Sequence, residues 1–211
     1  MKKILLFVAV SLTVWLELVS CENHTDEFDN SPKVGSILLS DGTVVSSEGF
    51  KADGLSAVGV IFYVKRDTIL VVGTKELGSY ANADSLVTIS GVTNDYTSLC
   101  GTENTAAIMA SGIASPAVNA VNKYTTYFSS WALPSAGELR ALSASLSIVN
   151  RTMKLIKGDD FQSGQYVSSS GDGTSSGSEQ MYYYSVSLQS SYVTSTIKTT
   201  SGLVRPILRL H

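Results

Sequence analysis

The chain's reactive side chains are few, and their placement limits the chemistry it can do. Two histidines, His24 and His211, lie towards the two ends, and Cys100 is the one cysteine remote from the N-terminus. A cysteine nucleophile needs an imidazole beside it to take its proton. Cys100 therefore reads as a buried, inert thiol. Nowhere do His and Cys recur at metal-ligand spacing, and Gly73, Gly78 and Gly91 lack the spacing of a dinucleotide fingerprint or a P-loop. Asp159 and Asp160 with Asp172 could offer oxygen ligands to calcium, or be solvated loop carboxylates. Two carboxylates ~5–9 Å apart would be enough for glycoside hydrolysis. Arg205 and Arg209, at i and i+4, could clamp a carboxylate; a buried salt bridge to Glu138 or Asp160 is an equal alternative. Tyr182, Tyr183, Tyr184 and Tyr192, with Tyr166 and Trp131, stand among Ser, Thr, Asn and Asp. Flat, partly polar rings in such surroundings suit recognition of a glycan or a protein. In an alternating strand, half of them must face the core.

The elements that would position these groups follow from patterning. Leu133 precedes Pro134 and arrives extended. Ser135 and Glu138 form an S-x-x-E capping box. Ala136, Leu139, Leu142 and Leu146 then supply one apolar helix face. The capping role accounts for Glu138 more simply than a ligand role shared with Arg140. A further helical turn or two is expected over 148–156. An earlier helix is expected over about 104–124, kinked or split at Pro116. Val34–Leu39 and Val44–Val45 flank Asp41-Gly42, a hairpin turn signal. Ala57–Val64 is apolar throughout, as befits a central strand covered on both faces. Thr68–Val72 is a second such strand, Leu86–Ile89 a short one, and Gln165–Ser168 another. Met181–Leu188 alternates, with Tyr182 and Tyr184 on one face and Tyr183 on the other. Leu203–Leu210 closes the chain, and Pro206 makes it an edge or bulged strand. Strands, then helices, then strands predict an α+β fold with a largely antiparallel twisted sheet and two main helices.

With 211 residues, 44% of them hydrophobic, and a net charge of −3, the chain can bury one sizeable core and presents no basic footprint for nucleic acid. Lys2 and Lys3 precede an apolar run over 4–16, too short to span a bilayer and suited to a secretory signal. Leu18-Val19-Ser20-Cys21 resembles the bacterial lipobox. The resemblance implies cleavage before Cys21, acylation of its thiol and new amino group, and hence a membrane anchor. Residues 1–20 are thus the signal peptide. Residues 21–32 are a polar, acidic tether, and its run of acids resembles the surface-export signal of Bacteroidetes lipoproteins. Residues 33–211 form the single domain. Display on the outer face of the outer membrane is expected, with a periplasm-facing anchor as the alternative. If Cys21 carries lipid, Cys100 has no partner for an intrachain disulfide.

Several segments resemble, in order, a family of uncharacterised Bacteroidetes surface-lipoprotein domains with a C-type-lectin-like fold, some of them fimbria-associated. These are VGSILLSDGTVVS (34–46), AVGVIFYV (57–64), GTENTAAIM (101–109), WALPSAGELRAL (131–142), YVSSS (166–170) and VRPILRL (204–210). The family is typified by a W-x-L-P-S/T-x-x-E-L helix, a Y-W-S-S-T/S strand and a terminal V-R-x-V/I-R strand. A more distant relative is the formylglycine-generating-enzyme fold. Val167 stands where the family has Trp. Neither the calcium-site motifs and disulfides of sugar-binding C-type lectins nor the catalytic cysteines of the sulfatase-activating enzymes are present. The resemblance implies the fold and neither activity. It would place recognition loops at Ser169–Ser178, a Ser/Gly-rich stretch.

Together these features predict a non-enzymatic surface lipoprotein, needing no cofactor or metal, that binds a glycan or a surface or fimbrial protein. The expected site is Trp131, Tyr166, Tyr182, Tyr183, Tyr184, Tyr192 and Arg205. A structural subunit of a surface assembly and a carboxylate-based hydrolase are the alternatives.

Overall fold

A computed structural model describes residues 31–51, 54–125, 127–172 and 181–210. The signal peptide, Cys21, most of the tether and residues 173–178 of the Ser/Gly-rich loop lie outside the described residues. Ten strands and three helices follow one another in the described chain. These are β1 (Ile37–Leu39), β2 (Val44–Val45), β3 (Ala57–Lys65), β4 (Thr68–Gly73), β5 (Ser79–Ala81), α1 (Gly101–Ala110), α2 (Pro116–Lys123), α3 (Ala136–Leu155), β6 (Gln165–Gly171), β7 (Tyr182–Ser187), β8 (Val193–Ile197), β9 (Ser201–Leu203) and β10 (Ile207–Leu210). The fold is α+β, as the element order predicts, but it has two sheets instead of one and three helices instead of two.

Sheet I has the order β10-β4-β3-β1-β2 and is antiparallel throughout. Sheet II has the order β5-β9-β6-β7-β8, with one parallel pairing, β6 with β9. The Asp41-Gly42 turn closes the β1–β2 hairpin; Gly42 takes φ +89°, which a residue with a Cβ rarely adopts. β3 lies at the centre of sheet I, as its unbroken apolar run requires. Pro116 splits the expected helix in two and opens α2. Ser115 caps it by accepting from the Val118 N–H at 3.2 Å, and Pro at the first position lacks the N–H that a helix start leaves unused. The S-x-x-E box caps α3 as expected, and the helix runs unbroken to Leu155.

Two apolar clusters make the core. In β4, Val71 enters one while Leu70 and Val72 enter the other; in β7, Tyr183 enters the first and Tyr184 and Val186 the second. The first cluster takes in Ile108 of α1 and Val118 and Val121 of α2. The second takes in Leu139, Leu142, Val149 and Met153 of α3. Both faces of the middle strands are covered, so even alternating strands bury every second residue and the ones between.

Two further expectations are corrected. Leu86–Ile89 is loop: Ile89 is buried, whereas Leu86 and Val87 face solvent. Leu203–Leu210 is two strands in different sheets, because Val204-Arg205-Pro206 crosses from sheet II to sheet I. Its second half, β10, is an edge strand, as Pro206 suggested.

Gly137, in the first turn of α3, packs against the 97–98 backbone, where a Cβ would press into the carbonyl oxygens of Thr97 and Ser98. Gly→Ala inside a helix normally stabilises by about 1 kcal/mol. Gly137→Ala is expected to do the reverse, costing about 1–3 kcal/mol through overpacking. Thermal unfolding checks it; an unchanged or raised Tm would contradict the packing.

Candidate functional site

The structure does not gather the sequence-predicted aromatics on a surface. Tyr166, Tyr183 and Tyr184 are buried because β6 and β7 are interior strands with both faces covered, and Trp131 is buried beside Gly59 of β3. Trp131 stacks edge-on against Tyr124 at 5.1 Å. Tyr182 is half-buried. Tyr192, 67% exposed, stands at the β7–β8 turn, at the end of that hairpin away from the Tyr182–Ile197 pair. Arg205 is also buried and is no ligand clamp. Its Nη1 lies 3.7 Å from Glu76, and its Nη2 donates to the Asp159 carbonyl at 3.0 Å. Arg209 lies on β10 and faces Glu138 at 3.6 Å and Glu103 at 3.8 Å. The two arginines therefore serve separate clusters, and of the two partners expected for them only Glu138 is engaged, by Arg209.

Of the three aspartates offered as calcium ligands, Asp160 is exposed. Asp159 accepts from Lys75 at 3.0 Å and from the Glu76 N–H at 3.1 Å, and Asp172 is buried at the end of β6. Among the described residues, no group of three His, Cys, Asp or Glu side chains could hold a metal. Burial first, then the nearby Glu138 and Glu103, push the Cys100 thiol up to about 11. A neutral thiol is a poor nucleophile near neutral pH.

What the fold does assemble is a loop end built on sheet II. Residues 82–100 run between β5 and α1 with no strand or helix. A connection of that length inside a compact domain is usually a functional loop. It is tied down throughout. The Asn82 amide donates to the Ser168 carbonyl at 2.8 Å, the Thr93 N–H to Asn104 at 3.0 Å, and the Gly171 N–H to the Thr93 carbonyl at 3.0 Å. The Ser168–Ser170 run anchors the other side. Ser168 donates to the Tyr184 carbonyl, Ser169 to the Pro134 carbonyl at 3.2 Å, and Ser170 accepts from the Ala136 N–H at 3.1 Å. The YVSSS and WALPSAGEL motifs thus meet each other directly.

Between loop and strand lies a small pocket lined by Asn82, Thr88, Asn94, Ser170, Tyr183 and Lys198, among others. Its volume is about 20 Å³, room for a water or one small polar group. Burial pushes the Tyr183 hydroxyl up and the Lys198 ammonium down. Two residues beyond Asn94, Tyr96 is 44% exposed. Its ring meets Tyr184 edge-on at 5.6 Å, and the Arg140 guanidinium lies 5.4 Å from the ring centre. Asn82, Asn94, Tyr96 and Lys198 were missed in the sequence. The signal that could have found them is the length and the Asn/Asp/Thr/Ser content of 82–100.

Neither the models of known protein families nor the curated proteins contain a match to this chain.

Asp95 organises the rim. It accepts from the Thr97 N–H at 2.8 Å and from the hydroxyls of Thr97 and Ser98, each at 2.7 Å. The Ser98 hydroxyl, then the two Thr97 donors, hold its carboxyl below the usual value of 3.8. A depressed carboxyl stabilises the loop above its unfolded value, and that support is lost as pH falls through the folded one. Amide shifts of residues 93–98 should therefore titrate at acid pH with a midpoint below 3.8. A midpoint at or above that value would contradict the arrangement.

Proposed function

We propose that the chain is a non-enzymatic lipoprotein of the outer membrane, anchored through an acylated Cys21 and displayed at the cell surface. Its C-type-lectin-like domain binds a glycan or a surface or fimbrial protein, as an adhesin-like or fimbrial accessory module. Recognition takes place at the loop end of sheet II. The observation that carries the reading is the 19-residue connection 82–100, tied by hydrogen bonds to β6 and carrying Asn94, at the Lys198 pocket, and the exposed ring of Tyr96. An aromatic ring backed by a second ring and an arginine, amid amides and hydroxyls, is recognition chemistry.

The address rests on the lipobox-like Leu18–Cys21. Among the described residues no helix is long and apolar enough to cross a membrane. The enzymatic alternative draws little support from Cys100, whose thiol is pushed up, or from Glu76 and Glu138, whose buried carboxylates serve ion pairs. Assembly by strand addition at β10 is disfavoured too, because Ala132 already pairs with Ile207 on that edge.

The test is a glycan array and a surface-protein capture with the mature chain in detergent, with and without calcium. Saturable binding is expected, weakened at least tenfold, or about 1.4 kcal/mol, by Tyr96→Ala, a substitution of an exposed ring. No binding to either by folded protein would overturn the reading.

A further inference from the structure

Lys198 follows β8 and is held by its backbone from two sides. Its N–H donates to the Met181 carbonyl at 2.8 Å, and its carbonyl accepts from the Ala83 N–H at 3.1 Å. The side chain turns inward, and the residue is only 5% exposed. Its ammonium donates to the Val87 carbonyl. Among the described residues no carboxylate pairs with it.

Arg205, also buried, and Arg209, half-buried, differ. Arg205 faces Glu76, and Arg209 faces Glu138 and Glu103. Burying a charge without a counter-charge is costly. An ammonium also has three N–H donors, and one carbonyl leaves two to fill. The pocket that Lys198 lines supplies only neutral groups: Asn82, Asn94, Thr88, Ser170 and Tyr183. The Asn82 amide already donates to Ser168, whereas the Asn94 side chain stands exposed at the rim.

We propose that Lys198 is the anion-binding residue of the loop-end site, and that the ligand is an acidic sugar whose carboxylate enters the pocket. This rests on the loop end being the recognition surface. A single ammonium matches a single negative charge. A carboxylate is planar and small enough for a partly open pocket of about 20 Å³, whereas a tetrahedral phosphate would bring more charge and more oxygens than one lysine satisfies. The sugar ring remains outside, against the exposed Asn94 side chain. Hydroxyls and amides around the mouth suit a carbohydrate.

The experiment follows the lysine ammonium resonances of the full chain in detergent by NMR. The probes are D-glucuronate, D-galacturonate and N-acetylneuraminate, each against its methyl ester. At least one acid should bind saturably and shift the Lys198 signal, with its neutral ester binding at least tenfold more weakly. Lys198→Met should erase that difference. The acid-against-ester comparison uses the unmutated chain, so it stands even if Lys198→Met does not fold. Equal affinity for acid and ester, or no acid bound while the array shows neutral glycans bound, overturns the inference and leaves the proposed function standing. A blank array and capture together with no acid bound overturns both. Acid binding that leaves the Lys198 resonance unmoved also overturns it.

Discussion

The fold depends on one buried guanidinium. Chain passes between the sheets at β4–β5 and again at β9–β10, and α3 hands over to sheet II through residues 156–164. Arg205 sits where these passages meet. Its Nε donates to the Gly73 carbonyl at the end of β4 (2.9 Å), its Nη2 to the Asp159 carbonyl after α3 (3.0 Å), and its Nη1 faces Glu76 in the β4–β5 passage. Phe161 lies under the guanidinium at 4.3 Å. Tyr166, from β6, donates to the same Glu76 oxygen at 2.9 Å. Burial raises the Glu76 carboxyl, while the Tyr166 hydroxyl and Arg205 pull it back down. Apolar contacts alone would let the sheets slide; these directional bonds fix their angle, at the expense of dehydrating two charges.

A second polar cluster does the same for the helices. Glu138 Oε2 accepts from the Ser135 N–H at 2.8 Å and also from the Gly101 N–H at 3.1 Å, so one carboxylate caps two helix starts. A Cβ on Gly101 would collide with that oxygen. Arg209 faces the other oxygen of Glu138, tying in the last strand, and its guanidinium also donates to the Leu99 carbonyl. Leu99 and Ser98 belong to the long connection, and Ser135 donates to the Ser98 carbonyl at 2.7 Å. The loop end is therefore braced by the helix starts as well as by β6. A binding surface on loops gains affinity from such support, because less ordering remains to be done when the ligand arrives.

The parts legible in the sequence were those set by local rules. The capping box, the Asp-Gly hairpin, the break at Pro116 and the apolar β3 each depend on neighbours within a few residues. The short strand Ser79–Ala81 and the polar β8 carry almost no such signal; they pair because sheet II offers them an edge. The aromatic site was misplaced for a related reason. The alternation of Tyr182, Tyr183 and Tyr184 was visible, but only tertiary packing reveals that both faces of β7 are covered. Arg205 and Arg209 looked paired by their i, i+4 spacing, and the sheet crossing at Val204–Pro206 separates them. Lys198 follows a Thr-rich strand and resembles any surface lysine until Ala83 and Met181 are found holding its backbone.

A double-mutant cycle of unfolding free energy over Arg205→Met and Glu76→Met tests the central constraint most directly. Removing either partner strands a buried charge, so each single change should cost about 3–5 kcal/mol. The double change should cost less than the sum by at least about 1 kcal/mol. Additivity within about 0.5 kcal/mol would show that the two charges do not act together, and that something other than this pair holds the sheets in place.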